Sequence, residues 1–232
     1  MPSIVPISLI DSAVAAPAIE AAGGQFAGMT SWRRRTRRVA VFDGRQAADL
    51  GGILRQPETG FLDLSCVDVP PMPVLSAALI LRLATATALR LDVASAFAAA
   101  VAERFPELRP LETKMGMALQ EAVGNAVLHG NLELKTAQRG NLRGLSEFAA
   151  EMERRLADDA YASRPVTIGA VRGRSQSILW VEDRGRGFLP PEPRGIRLSA
   201  AGGNGLAMIR SCTQGTFFSH GGRRIRMIFG EG

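Results

Sequence analysis

Residues 119–131 read Leu119-Gln120-Glu121-Ala122-Val123-Gly124-Asn125-Ala126-Val127-Leu128-His129-Gly130-Asn131. Glu121 and Asn125 are four apart, so on a helix they share one face. His129 lies one further turn along and drifts sideways. A carboxylate and a carboxamide side by side can serve as a proton acceptor and a hard-metal ligand. Polar residues at this spacing are also the ordinary wet side of a helix, so the segment gains meaning only from its company.

Two later segments supply that company. Trp180-Val181-Glu182-Asp183-Arg184-Gly185-Arg186-Gly187-Phe188 runs from a strand-like stretch straight into Asp-x-Gly-x-Gly. Glycines let backbone approach a flat ligand closely, and the carboxylate can accept from an exocyclic amine. Read alone, it is equally a glycine-rich turn after a strand. Ala201-Gly202-Gly203-Asn204-Gly205-Leu206 stands just before a helical pattern. Amides at a glycine-rich helix start suit phosphate oxygens.

Around these segments the chain divides by composition. Residues 1–36 are rich in Ala, Gly, Ser and Pro over 1–31 and then enter the basic run Trp32-Arg33-Arg34-Arg35-Thr36-Arg37-Arg38. They read as a mobile basic arm leading into a strand. Residues 37–69 read as a small β-α-β-like extension: a strand at Val39–Phe42, a helical pattern to Leu54 and a strand over Phe61–Val67. It forms either a cap or extra strands on the main sheet. Pro70, Pro71 and Pro73 then punctuate the chain.

Residues 70–232 carry the rest. Helices are predicted over Leu75–Leu89, Val93–Phe105, Leu111–His129, 142–160 and Leu206–Cys212. Strands are predicted over Val166–Val171, Ser177–Val181, 215–219 and 224–229, the first two as an antiparallel pair and the last two joined by Gly221-Gly222. Helices first and strands later predict an α+β sandwich, with helices on one face of a mixed sheet.

Composition narrows the class. Apolar residues make up 46% of the 232, enough for a real core, and the net charge is +6. Only Lys114 and Lys135 are lysine, and the mild excess of arginine reads as a solvated surface, so nucleic-acid binding is disfavoured. Cys66 and Cys212 lack metal-ligand or disulfide spacing and read as small buried residues. The most apolar run, Val74–Leu91, is broken by Arg82 and Arg90, and Ile4–Ile10 lacks the basic start of a secretory signal. A cytoplasmic location without membrane contact is the expectation.

Taken together, the order and spacing of the three segments resemble the E-x-x-x-N, D-x-G-x-G and G-x-G boxes of the GHKL (Bergerat-fold) ATPases. Within that superfamily the chain is most similar to the anti-sigma-factor serine kinases of partner-switching systems. Glu-Ala-x-x-Asn-Ala-x-x-His-Gly-Asn is their form of the first box. The charged insert over 132–163 and the short gap between the second and third boxes are also theirs. The resemblance spans roughly 66–230 and leaves out the first third of the chain. It implies a Bergerat two-layer sandwich that binds ATP and Mg2+.

Residue by residue, the resemblance makes Glu121 the general base and Asn125 the Mg2+ ligand beside the phosphates. Asp183 would receive the adenine amine, with Gly185 and Gly187 shaping the adenine pocket. Gly203 and Gly205 would meet the phosphates, under a lid over 189–203 in which Arg194 or Arg197 reaches phosphate. His129 would either cap the helix end before Gly130 or take part in chemistry. Gly221-Gly222-Arg223 departs from the family's Gly-Gly-Thr, whose threonine helps to hold adenine.

The implied activity is transfer of the γ-phosphate to a serine of a partner with a STAS-like domain, together with sequestration of a sigma factor. A homodimer is a further expectation from the family. Two alternatives stay open. One is a nucleotide-binding partner-switching module with little or no turnover. The other is a histidine-kinase-type ATPase domain acting in trans, because neither His129 nor His220 lies in a phosphoacceptor helix ahead of the boxes.

Overall fold

The computed structural model describes residues 5–6, 39–67, 78–135, 142–173, 176–187 and 204–230. Among these residues eight strands form one mixed sheet in the order β1-β2-β3-β4-β5-β6-β8-β7. They are β1 (Val5–Pro6), β2 (Val39–Phe42), β3 (Gly60–Asp63), β4 (Leu79–Ala84), β5 (Pro165–Arg172), β6 (Gln176–Glu182), β7 (Gly215–Ser219) and β8 (Arg224–Gly230). β2, β3 and β4 run parallel, whereas β4, β5, β6, β8 and β7 pair antiparallel in turn.

The β-α-β unit over 39–63 is therefore not a separate cap; its strands continue the main sheet. Within the stretch expected to be a mobile arm, Val5–Pro6 pairs antiparallel with the outer edge of β2. The rest of that arm lies outside the described residues. So do the prolines of 70–73 and the lid of 189–203 with Arg194, Arg197 and Gly203.

The helices are α1 (Leu50–Leu54), α2 (Thr85–Arg90), α3 (Val93–Arg104), α4 (Glu112–Asn125), α5 (Leu142–Leu156), α6 (Asp159–Ala162) and α7 (Asn204–Cys212). Asp49 caps α1 by accepting from Gly52 N–H at 2.8 Å, and Asp92 caps α3 by accepting from Ser95 N–H at 3.2 Å. α3 stops at Arg104, and Phe105, the residue before Pro106, leaves helical backbone because the proline ring disfavours it there. The helix predicted over 142–160 is two helices, because Asp158 turns out of the first and caps the second by accepting from Ala160 N–H.

One sheet face meets the helices, making two layers. Phe42, Phe61, Leu79, Leu81, Leu83, Val166, Ile168, Leu179, Val181, Met227 and Phe229 alternate along their strands into one core with α1, α3, α4 and α7. On α4, Met115, Ala118, Leu119, Ala122 and Val123 form the buried stripe, at helical spacing. That stripe aims Glu121 and Asn125 away from the core.

The helix predicted over 75–89 is corrected within its described part. Leu79–Ala84 is strand β4, followed by the short α2. Every residue of β4 is buried, Ile80 and Arg82 on one face and Leu79, Leu81 and Leu83 on the other. A strand covered on both faces loses its period of two and resembles a buried helix in sequence.

Asp63 ties the parallel strands together at their carboxyl ends. Its fully buried carboxylate accepts from Gly44 N–H at 2.9 Å, Ser65 N–H at 2.8 Å and Ala84 N–H at 3.1 Å. The carboxyl ends of these parallel strands are thus closed by the protein's own side chain.

Candidate functional site

α4 does not end at a cap. It runs on into a wider, π-type turn over Ala126–Asn131, closed by Leu132 N–H to Val127 carbonyl at 2.8 Å. Such turns are uncommon and concentrate at functional sites. This one swings His129, Gly130 and Asn131 toward the end of β6. His129 donates through Nδ1 to the Leu134 carbonyl at 2.8 Å, because a carbonyl oxygen can only accept. The histidine therefore anchors the chain beyond the turn and caps none of the helix's own carbonyls.

The Asp183 carboxylate lies under this turn. A β-carbon on Gly130 would sit 2.5 Å from its carboxyl carbon, so no other residue fits at 130 without moving the acid. Gly185 N–H donates to Asp183 Oδ1 at 2.7 Å, and a β-carbon on Gly185 would lie 2.2 Å from the Gly130 carbonyl oxygen. Gly187 adopts φ of +75°, and a β-carbon there would meet the Gly221 carbonyl at 2.2 Å. The glycine spacing of the second segment thus reflects two close approaches, one to the α4 turn and one to the β7–β8 turn.

Asn131, fully buried, joins these pieces and was given no role from sequence. Its Oδ1 accepts from Arg184 N–H at 2.7 Å. Its Nδ2 donates to Thr85 Oγ1 at 2.8 Å and to the carbonyls of Arg164 at 3.3 Å and Pro165 at 3.2 Å. One carboxamide therefore ties the loop after Asp183 to α2 and to the start of β5. On the other side, Asp183 N–H donates to the Arg223 carbonyl at 3.0 Å.

The two neighbouring acids differ in proton affinity. Burial pushes Asp183 up to about 6, against the lesser opposing pull of the Gly185 N–H and the Arg223 cation. Burial also pushes on Glu182, but hydrogen bonds from His220 and Arg224 outweigh it and hold that carboxyl below its ordinary value. His220 Nδ1 meets Glu182 at 2.9 Å, and the Arg224 guanidinium, also bonded to Glu182, stacks 4.4 Å from the Trp180 ring. This cluster fixes the β7–β8 turn against β6.

Above Asp183 opens a cavity of about 320 Å³. Ala122, Ala126, Val181, Leu206, Phe218 and Ile225 give it apolar walls, and Asp183 stands among them as an acceptor. Asn125, His129, Gly130, Gly187, Gly205, Gly222 and Arg223 complete the lining. Apolar walls with one convergent carboxylate fit a flat heteroaromatic ring that carries an amine.

Five residues given candidate roles from sequence therefore line one cavity: Asn125, His129, Asp183, Gly187 and Gly205. Gly185 is absent from its lining and instead seats the Asp183 loop on Gly130. Glu121 stands at the border, where a β-carbon on Gly205 would lie 2.5 Å from its Oε2 and 3.7 Å from Asn125 Nδ2. The first turn of α7 thus abuts the acid–amide pair of α4. Gly203 and Arg197 lie outside the described residues. Arg223, which breaks the resemblance, lines the cavity beside Asp183.

Among the described residues no group of three or more His, Cys, Asp or Glu could hold a metal ion. Nor is any described helix long and apolar enough to cross a membrane. Cys66 and Cys212 are buried free thiols. No family model matches the chain, and none of the curated proteins compared with it matches.

Proposed function

We propose that the chain is a Bergerat-fold, Mg-ATP-binding regulatory serine/threonine protein kinase of the anti-sigma-factor type. The observation that carries the reading is the convergence of three distant sequence segments on one cavity, through Asn125, Asp183 with Gly187, and Gly205. Asp183 in an apolar slot suits the adenine amine. Asn125 and Gly205, at the start of α7, line the same cavity, and a helix start suits phosphate oxygens.

The residues also fit the metal. Mg2+ keeps several waters and is usually held by one or two protein oxygens together with phosphates. The Asn125 carboxamide oxygen supplies one such ligand. Bound Mg-ATP supplies the transferable phosphoryl group and neutralises its charge. The chain's own part is positioning: Asp183 orients the base, Asn125 the metal, and Glu121 takes the proton of the attacking hydroxyl. The acceptor is a serine on a partner protein with a STAS-like domain, and a sigma factor is a second partner; both come from the family resemblance alone.

Calorimetric titration of Mg-ATP and Mg-ADP into the wild type and Asp183→Asn tests the reading. Binding by the wild type that is lost in the variant supports it. No binding by the wild type overturns it.

A further inference from the structure

Glu121 borders two cavities' worth of space. On one side stands the slot above Asp183, reached through Gly205 and Asn125. On the other, Glu121 itself lines a furrow of about 440 Å³ between α3, α4 and α7. A carboxylate with a nucleotide-sized slot behind it and an open furrow in front can take a proton from a hydroxyl arriving along that furrow.

Small residues make the furrow. Ala98 on α3 faces Gly116 on α4, and a β-carbon on Gly116 would still be 4.0 Å from that of Ala98. Met117 and Met208 form the flank toward α7, and each is more than a third exposed. Methionine is flexible and polarizable, and it suits surfaces that must accept a partner's side chain. Ser95, Thr113 and Gln120 add hydrogen-bonding capacity. Two carboxylates, Glu112 and Glu121, line the furrow, and no cationic side chain does among the described residues.

The geometry points to this furrow as the docking groove for the phosphoacceptor segment of the partner. The occupant is an extended stretch of protein with a serine or threonine at Glu121, an apolar residue against Met117 and a lysine or arginine at Glu112. Glu112 and Glu121 are nine residues apart along α4 and on opposite flanks of the furrow, roughly 15 Å by helix geometry. An extended chain covers that span in about four or five residues. Met117 lies one turn from Glu121, about two residues of extended chain away.

In the transfer, Glu121 accepts the hydroxyl proton as the hydroxyl oxygen bonds to the terminal phosphorus of ATP. The bond from that phosphorus to the bridging oxygen breaks, and its electron pair leaves with ADP. The inference rests on the nucleotide reading above and adds to it the side from which the acceptor comes and the charge it carries.

The test is a synthetic peptide library with one fixed serine, Mg-ATP as phosphate donor, and every other position varied in turn. The wild type is expected to favour lysine or arginine four or five positions from the serine, and Glu112→Arg to shift that preference to acidic residues. Gly116→Met, which fills the furrow floor, is expected to raise KM for the best peptide about tenfold or more. Gly116→Ala, for which the structure has room, serves as the folding control through its thermal unfolding alone. Calorimetric affinity for Mg-ATP is expected to stay the same in all three variants.

Transfer that depends on Glu121 but responds to neither Glu112→Arg nor Gly116→Met overturns the groove and leaves the nucleotide reading standing. Mg-ATP binding without phosphorylation of any peptide overturns the docking of a short segment. Failure of the wild type to bind Mg-ATP overturns both readings.

Discussion

Gly130 stands so close to Asp183 that a single added methyl group would lie 2.5 Å from the carboxyl carbon. The contact joins the turn after α4 to the loop after β6. It also explains why glycine is required at 130 although its φ is not positive. Gly130→Ala is expected to push the Asp183 side chain out of position and weaken Mg-ATP binding roughly 10- to 100-fold, the cost of one misplaced buried acceptor. Calorimetry against the wild type measures it. Unchanged affinity would mean that Asp183 does not read the base.

Asn131 is expected to matter first for stability. Its carboxamide is fully buried, and its partners lie on α2, on β5 with the residue before it, and on the loop after β6. Asn131→Ala leaves the Arg184 N–H and the Thr85 hydroxyl without this partner, at about 3 kcal/mol. For a chain of this length that lowers Tm by roughly 6–12 °C. Thermal unfolding followed by circular dichroism checks this, and a shift under about 2 °C would show that water replaces the carboxamide.

Much of this fold is legible in the sequence, and the exceptions have physical causes. β5, β6, β7 and β8 announce themselves through β-branched and aromatic runs ending at Gly or Asp, and α4 through its apolar stripe. β4 hides because both its faces are buried, so Ala78-Leu-Ile-Leu-Arg-Leu-Ala84 carries no period of two. In the site, the spacing of Glu121, Asn125, Asp183 and the glycines is visible along the chain. The tie from Asn131 to Arg184 spans 53 residues and exists only once the two segments meet. Gly185 looks like pocket lining in sequence, whereas its tight neighbour is the Gly130 carbonyl, a contact that local spacing cannot reveal.

Asp183 sets a pH dependence whose sign is fixed. Its value in the folded protein, about 6, lies above the ordinary 3.8 because burial disfavours the anion. The folded state therefore holds this proton more tightly than the unfolded chain. The stability it contributes is full below 3.8 and is lost as pH rises through about 6. Glu182 next door acts oppositely: its contribution is present above its ordinary 4.5 and is lost as pH falls through its lower folded value. Comparing wild type with Asp183→Asn isolates the first effect. The wild type should lose stability relative to the variant as pH rises from about 4 to about 6, and the two curves should run parallel above that. Curves parallel throughout would mean that Asp183 titrates normally.

The same proton bears on ligand recognition. An ionised carboxylate is the better acceptor for an amine, so adenosine should bind more tightly as pH rises from about 5 to about 7 and then level off. Adenosine is the right probe because it has no phosphates of its own to titrate. Asp183→Asn should bind it weakly, with no slope. A slope that survives in the variant would assign the titration to another group.

Glu121 separates kinase from binding module. It abuts Gly205 and is partly buried between slot and furrow, absent from the lining of the slot above Asp183. Removing its carboxylate should therefore leave the base and metal contacts intact. Glu121→Ala is expected to retain Mg-ATP affinity within about threefold while phosphate transfer falls by about two to four orders of magnitude, the usual contribution of a general base. Titration of Mg-ATP and a radiolabelled transfer assay on one preparation read the two quantities separately. Equal loss of both would make Glu121 a binding residue. Full binding and equal transfer would remove it from the chemistry. Tight binding with no transfer from the wild type to any partner would turn the reading toward a nucleotide-gated module, in which Glu121 marks the boundary between ligand and partner without moving a proton.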